Sequence, residues 1–475
     1  MSGWGTIYSN TSYALSCHAQ ALARLQEQAA SGMRINRSSD SPGDAYSIMR
    51  LNTQSRQTEG YVKNLEGVVR GLEFCHNAVQ NINDSVSRAQ QLLTQAASAT
   101  YGATNRAAMA AEIDSLLEQI VSIVNGQSLG RYVFGGVKTT TAPYAVERDG
   151  GKITSVTYQG SQTDLLVPVA QGVERSGLLV GDRAFRADSR QGPEFLGATG
   201  AAAGTATSSV RGDVWLSVSH TATVYEGASG VAAGTLSAGQ DTVIGTHTVT
   251  IEAAGQTIRL DSGPAVTFTG TEDNLELTNE SDDVACVDMT GWAAAGSPEG
   301  TFAVQASGTL SVDDGASSTA IAFSDNVAVT DSQTGRILYV DATGITRTGA
   351  EAVRVPGTYD LFSALISIRD LMNNERSLTE SQQVSLLSQA MDSVKEVQAV
   401  VTRQMTVLGG KLQAMDSLRA TLEDAKATAD QQAGSLQNAD LTLVAIELAR
   451  TQNLYDLTLA AAAQLLRLNL LDYIT

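Results

Sequence analysis

Residues 65–96 read LEGVVRGLEFCHNAVQNINDSVSRAQQLLTQA. Alternate steps of three and four from Leu65 land on Val68, Leu72, Cys75, Val79, Ile82, Val86, Ala89, Leu93 and Ala96, all apolar. A 3.5-residue repeat held this long lays one stripe along one side of a helix, as in a coiled coil, and such a stripe needs a partner. The helix starts upstream at Ser41-Pro42-Gly43-Asp44, where a capping Ser is followed by Pro in the first turn and an acid three residues after the cap. The spacing predicts a helix over residues 42–98, about 80 Å long at 1.5 Å per residue.

The partner lies far along the chain. The same spacing gives Leu387, Ala390, Val394, Val397 and Val401, then Leu408, Met415, Leu418, Leu422 and Ala425. Gln404 and Lys411 interrupt it, and Met405 and Leu412 can carry the stripe past Gly409-Gly410. Shorter helices are expected over 105–125 and 358–374. Matching seams at such separation predict that both chain ends meet in an antiparallel helical bundle.

The extreme ends carry stripes of their own. Leu15, His18, Leu22, Leu25 and Ala29 form one, closed by Gly32. Leu454, Leu457, Ala461, Leu465 and Leu468 form the other. Short helices with Ala, Gln, Asn and Ser over much of their surface are expected to order by packing against copies of themselves. A chain that puts its most apolar surface at an end is expected to use it on other chains. The candidate subunit and helix interface is therefore Leu15, Leu22, Leu25, Leu65, Leu72, Val79, Leu93, Leu408, Leu454, Leu457, Leu465 and Leu468.

Between the arms the composition changes. Residues 142–356 hold 26 acidic and 11 basic residues, whereas residues 1–141 are nearly neutral. Six of the seven prolines and 27 of the 43 glycines fall in this middle segment. Strands are expected at 153–158, 165–169, 210–218, 241–244, 246–252, 301–304, 319–323 and 337–340, separated by Gly, Asp, Asn and Ser clusters. Short strands with such turns predict one or two sandwich-like modules. The fold class is α+β: terminal helices at 1–40 and 435–475, a helical bundle from 41–141 and 357–434, and a β-rich acidic insert at 142–356. Between bundle and insert stands GQSLGRYVFGGVKTTTAPY (126–144), where Asn125-Gly126 ends a helix, RYVF starts a strand and Gly135-Gly136 turns it.

The whole chain of 475 residues carries a formal charge of −19, which opposes general nucleic-acid binding. The most apolar run, 459–471, contains Gln464, Arg467 and Asn469, so no membrane span is expected. The start, MSGWGTIYSNTSYALSCHAQ, shows no cleavable signal. Cys17-His18 and Cys75-His76 lack the further ligands that zinc needs, and Cys75 sits on the seam. The acidic runs Glu280-Ser-Asp-Asp283 and Asp313-Asp-Gly315 lack the calcium-loop spacing and read as turns. The four histidines, at 18, 76, 220 and 247, form no acid–base constellation. No catalytic, cofactor or metal residue is assigned, and no enzyme activity is expected.

Two turns carry a resemblance. SGMRINRSSDSPGDA (31–45) resembles the N-terminal signature of bacterial flagellins and their relatives. GRYVFGGVKTTTAPY (130–144) is similar to the corresponding stretch of the hook–filament junction proteins, the hook-associated protein 3 family of the flagellin-like superfamily. The ending Asn469-Leu-Leu-Asp-Tyr-Ile474 and the Val407-Leu-Gly-Gly region resemble that family too. The resemblance covers both arms, roughly 1–144 and 357–475, and leaves out the insert.

It implies a structural protein of the flagellum, exported without a cleaved signal, whose terminal helices form concentric tubes while the insert faces outward. The implied partners are further copies in a ring, hook-associated protein 1, flagellin, and an export chaperone over the C-terminal helix; nucleic acid and membrane are not among them. A flagellin-like filament subunit is the alternative. An adhesin or carbohydrate-active insert is a remoter one.

Overall fold

A computed structural model describes residues 3–98 and 100–474, without the side chains of residues 3–5, 7, 8 and 465–474. The helices are α1 (Gly3–Ser31), α2 (Pro42–Ala96), α3 (Ala103–Val124), α4 (Leu361–Asn373), α5 (Glu380–Gln437) and α6 (Leu441–Ile474), with two single-turn helices in the insert. The chain has long N- and C-terminal helices around a β-rich central region of antiparallel sheets. Among the described residues no helix is long and apolar enough to cross a membrane.

The long seam is sealed. All ten stripe residues from Leu65 to Ala96 are buried, nine of them with no exposed surface. Leu387, Ala390, Val394, Val397, Val401, Leu408 and Met415 of α5 are buried as well. Gly409-Gly410 does not interrupt that helix. Below it the stripe shifts: Leu418 and Leu422 are half-buried, Ala425 is exposed, and Ala429 and Ala433 take over as buried positions against Leu51.

The chain clusters into two compact units. One comprises residues 1–73, 166–177 and 410–475; the other comprises 74–165 and 178–409. Within the first, the hairpin of Leu166–Ala170 and Val173–Ser176 is tied to α2 by Asn64 Nδ2 donating to the Pro168 carbonyl at 2.9 Å.

Within the second unit, buried arginines fasten helix ends. Arg106 of α3, 2% exposed, donates to the Ala96 carbonyl at 3.1 Å and to Gln383 Oε1 at 3.0 Å. Gln383 Nε2 in turn donates to the Leu371 carbonyl at 2.7 Å. One guanidinium and one amide thus satisfy the terminal carbonyls of α2 and α4, which helix geometry leaves unpaired. Arg369 of α4 reaches Asp114 of α3 and the Ile153 carbonyl, each at 2.7 Å.

The insert is built on an eight-stranded antiparallel sheet. Its order is Val266–Thr267, Thr257–Leu260, Gly245–Glu252, Gly300–Ser311, Gly212–Tyr225, Gly349–Val355 and Glu194–Phe195, with Thr319–Ala320 also paired to Gly300–Ser311. Two three-stranded sheets accompany it: Ala232–Ala233, Val284–Asp288, Leu275–Thr278; and Val327–Thr330, Ile337–Asp341, Ala202–Ala203. They belong to separate cores. One holds Leu216, Val218, Leu310, Leu338, Val340 and Val353; the other holds Val249, Ile258, Leu277, Val287, Trp292 and Val304. The strands Gly212–Tyr225 and Gly300–Ser311 supply both cores, so two sandwich-like modules share one sheet. Their pairing shifts register at Ser307/Gly308. A Cβ on Gly308 would stand 2.6 Å from both Ile244 Cδ1 and the Ser219 carbonyl oxygen, so only glycine fits.

One strand expectation fails. Residues 241–244 form no strand beyond a single bridge from Val243 to Arg347. The Asp241 carboxylate is the reason: it accepts from Thr223 Oγ1 at 2.6 Å, Ser237 Oγ at 2.5 Å and the Cys286 amide at 2.7 Å. That side-chain bonding competes with a ladder. At the boundary stretch, Arg131–Tyr132 pairs with Gln127–Ser128, Val133 and Phe134 are fully buried, and Gly136 turns the chain at φ 61°.

Candidate assembly surface

The first unit holds the least covered apolar surface. Eleven of the sixteen large exposed hydrophobic residues among those described lie there, although it is the smaller unit. Its helices α1 and α6 are joined to the rest through one structured turn. Gly32 at φ 70° ends α1. Arg34 N donates to the Gln437 carbonyl at 2.7 Å, and Ala439 N to the Gly32 carbonyl at 2.9 Å. Gln28, nearly buried, donates to the Arg34 carbonyl at 2.8 Å. Asp40 accepts the amides of Arg37 and Asn36 at 2.9 and 3.1 Å, and these hydrogen bonds, the Arg37 amide first, lower its pKa. Ser41 accepts from Ala45 N through its carbonyl, while its hydroxyl donates to Asp44. The Arg-Ile-Asn turn is therefore a hydrogen-bonded brace between the C-terminus of α1 and the junction of α5 and α6. On the far side Asp440 caps α6, accepting from Thr442 N at 2.9 Å and Leu443 N at 3.2 Å.

Beyond this brace α1 and α6 pack along each other. The covered positions of α6 are Val444, which is buried, and Leu448, Thr451, Tyr455, Thr458 and Ala462, which are half-buried. That spacing of fours and threes is a helix face, and a mixed one. A more apolar face points elsewhere: Leu443 is 54% exposed, Ile446 61%, Leu454 40% and Leu457 67%. At 100° per residue the two faces stand about a third of a turn apart. Among the described residues, Leu443, Ile446, Leu454 and Leu457 thus form an apolar face left open to solvent.

The structure separates the twelve sequence-predicted interface residues into groups. Leu65, Leu72, Val79, Leu93 and Leu408 have no exposed surface and form helix-to-helix core. Leu25 is 9% exposed, and Leu15 and Leu22 are half-buried. Leu454 and Leu457 are exposed. Leu465 and Leu468 lie in α6, with side chains outside the described residues.

Sequence reading missed a second surface. A groove of about 680 Å³ in the same unit is lined by Tyr46, Met49, Arg50, Tyr61, Gln171 and Leu422, among others. Tyr46 is 70% and Met49 62% exposed. These residues precede the long stripe, and their only signal is the presence of aromatic and Met residues on an otherwise polar helix. One carboxylate of each acidic run is held as a turn: Asp313 accepts from the amides and hydroxyls of Ser317 and Ser332, while Asn279 and Arg347 hold Asp283.

Residues 6–139 match the family model for the bacterial flagellin N-terminal helical region. The N-terminal arm is accordingly similar to that of flagellins, the likeness its turn at 31–45 also carries. Within that class the resemblance to hook-associated protein 3 also holds. The chain is 27% identical over 123 residues to flagellar hook-associated protein 3 of Escherichia coli, covering 26% of this chain and 39% of the relative. It is 26% identical over 139 residues to the Salmonella typhimurium protein of that name, covering 29% and 44%. The match thus spans less than half the length of these relatives. Among solved structures, the flagellar hook associated protein-3 of Legionella pneumophila aligns at a TM-score of 0.45 and 15% identity, over 82% of this chain and 98% of that one.

Proposed function

We propose that this chain is a structural subunit of the bacterial flagellum, an adaptor standing between the hook, through hook-associated protein 1, and the flagellin filament. The carrying observation is the uncovered face Leu443, Ile446, Leu454 and Leu457, on the helix that packs against a flagellin-type N-terminal arm. An apolar stripe left open along a terminal helix suits packing against neighbouring copies, with hydrophobic burial as the driving force. The stretch at 130–144 and the likeness to proteins named flagellar hook-associated protein 3 favour the adaptor over an endless polymer. Its place on this reading is outside the cell, reached by flagellar export with a chaperone over α6. Its role is mechanical: no reaction is assigned to it.

Deletion of the gene should leave intact hooks, no filaments, and flagellin monomers in the medium. Filaments of normal length on the deletion strain would refute the adaptor. A second reading, a filament subunit, is favoured by the flagellin family match itself. Stoichiometry separates the two: a handful of copies per flagellum for an adaptor, filament-scale numbers for a flagellin.

A further inference from the structure

The insert is charged unevenly. Residues 226–306 contain twelve acidic residues and a single basic one, Arg259. Asp273, Glu276, Glu280 and Asp282 are all exposed, on and around the strand Leu275–Thr278 and the turn that follows it. Arg347 reaches this turn, pairing with Asp283 at 3.2 Å and donating to the Ser281 carbonyl at 3.3 Å, but the carboxylates of Asp273, Glu276, Glu280 and Asp282 pair with no cation among the described residues.

The other module gathers arginines. Arg190 donates to the carbonyls of Ser208 at 2.8 Å and Ser209 at 3.4 Å. Ser209 N bonds the Ile337 carbonyl at 2.8 Å and Val210 N the same carbonyl at 3.4 Å, which brings the segments of Arg336 and Arg211 together. Arg186 completes the group and holds Asp182 at 2.7 Å. Burial, and then the charges of Arg186, Arg336 and Arg190, depress the pKa of Arg211, with Asp188 opposing them. The guanidinium groups of Arg211 and Arg336 make no hydrogen bond or close ion pair with any described residue. Like charges held together in this way repel, and an opposing acidic surface relieves the repulsion.

We propose that the patch of Arg186, Arg190, Arg211 and Arg336 docks the exposed carboxylates of residues 273–282 on a second copy of this chain. Donor and acceptor surfaces are different patches of one chain, so the contact is heterologous and repeats around a ring instead of closing a dimer. This deepens the adaptor reading and rests on its copies standing side by side. The acidic module and the arginine module share one sheet, so each insert offers both halves of the contact at a fixed spacing.

The test uses the full-length purified protein and measures self-association by analytical ultracentrifugation at low and high salt. Arg211→Gln with Arg336→Gln should weaken association about tenfold at low salt, as should Glu276→Arg with Glu280→Arg, and salt should erase both differences. The decisive variant joins Arg211→Glu and Arg336→Glu to Glu276→Arg and Glu280→Arg. Swapped charges should restore association, which changes in folding alone would not do; the neutral Gln pair covers the case in which reversal disrupts the fold. Association unchanged by the Gln pair, or a swap no better than its halves, overturns the proposal. Loss of heparin binding by the Gln pair with self-association intact would also overturn it, and assign the patch to a polyanion. Complementation of the deletion strain keeps the two readings apart: filaments restored by a patch variant with unchanged association sink this contact only, whereas failure of the unaltered chain to restore them sinks the adaptor.

Discussion

Two helical stretches of this chain obey the same arithmetic and end in opposite conditions. The stripe of α2 from Leu65 to Ala96 is buried throughout, and the stripe of α6 at Leu443, Ile446, Leu454 and Leu457 is open. Periodicity states that a helix has an apolar face and leaves open who covers it. What differs is the company each stripe keeps. Along α2, the buried residues of α5 and the Arg106 and Gln383 contacts close the helix ends. Along α6, the face turned to α1 is mixed, with Thr451, Tyr455 and Thr458 among its covered positions. The helix gives its own chain the poorer face, which is what the proposed packing against neighbouring copies requires.

The sharpest way to break this comparison is to make one substitution in both places. Leu72→Ala removes a side chain with no exposed surface and should cost about 2–5 kcal/mol, read as a fall in the urea midpoint of the monomer. The next effect in size tests the closed ends. Arg106→Ala leaves the Ala96 carbonyl and Gln383 Oε1 without their donor, which should cost about 2–3 kcal/mol. If Arg106→Ala melts like the unaltered chain, the helix ends are not closed by this side chain. Leu457→Ala completes the pair: monomer stability should stay within about 0.5 kcal/mol, because the side chain is already in water. Its effect should appear in assembly, as weaker copolymerisation or weaker association at high concentration. Equal destabilisation by Leu72→Ala and Leu457→Ala would mean that α6 is covered within its own chain after all.

This difference also marks what the sequence reveals and what it withholds. The seam of α2, its start at Pro42, and the helices near 105–125 and 358–374 are legible because hydrophobic spacing is a local signal. The strand expectation at 241–244 misleads because the decision lies with Thr223, Ser237 and Cys286, remote residues that claim the Asp241 carboxylate. Two cores on one sheet are equally invisible, since pairing between Gly212–Tyr225 and Gly300–Ser311 spans a long separation. As for the surface, spacing marks Leu454 and Leu457 of α6 but not Leu443 and Ile446, and the exposure of all four depends on which face α1 takes. Tyr46 and Met49 carry no periodic mark at all. Arg106 and Gln383 carry none either, being single polar residues whose burial follows from packing alone.

The smallest expected effect concerns acid, and it too separates the regions. His220 in the sealed insert is nearly buried, with Nε2 2.8 Å from Thr223 Oγ1 and Nδ1 without a partner. Thr223 donates its own proton to Asp241, so the ring nitrogen facing it carries the hydrogen. Burial lowers the pKa of His220, opposed in part by the charge of Asp241 3.8 Å away. The unfolded chain then takes up this proton first, at about the ordinary histidine value of 6.5. Stability from the neutral ring is present above that pH and declines as pH falls below it. Between pH 7 and pH 5 the insert should lose protection from hydrogen exchange, and His220→Gln should flatten that loss. The helices α1 and α6, whose buried positions among the described residues are Leu25, Gln28 and Val444, bury no histidine there and should change less. Parallel pH profiles for the insert of the unaltered chain and of His220→Gln would remove His220 from the account.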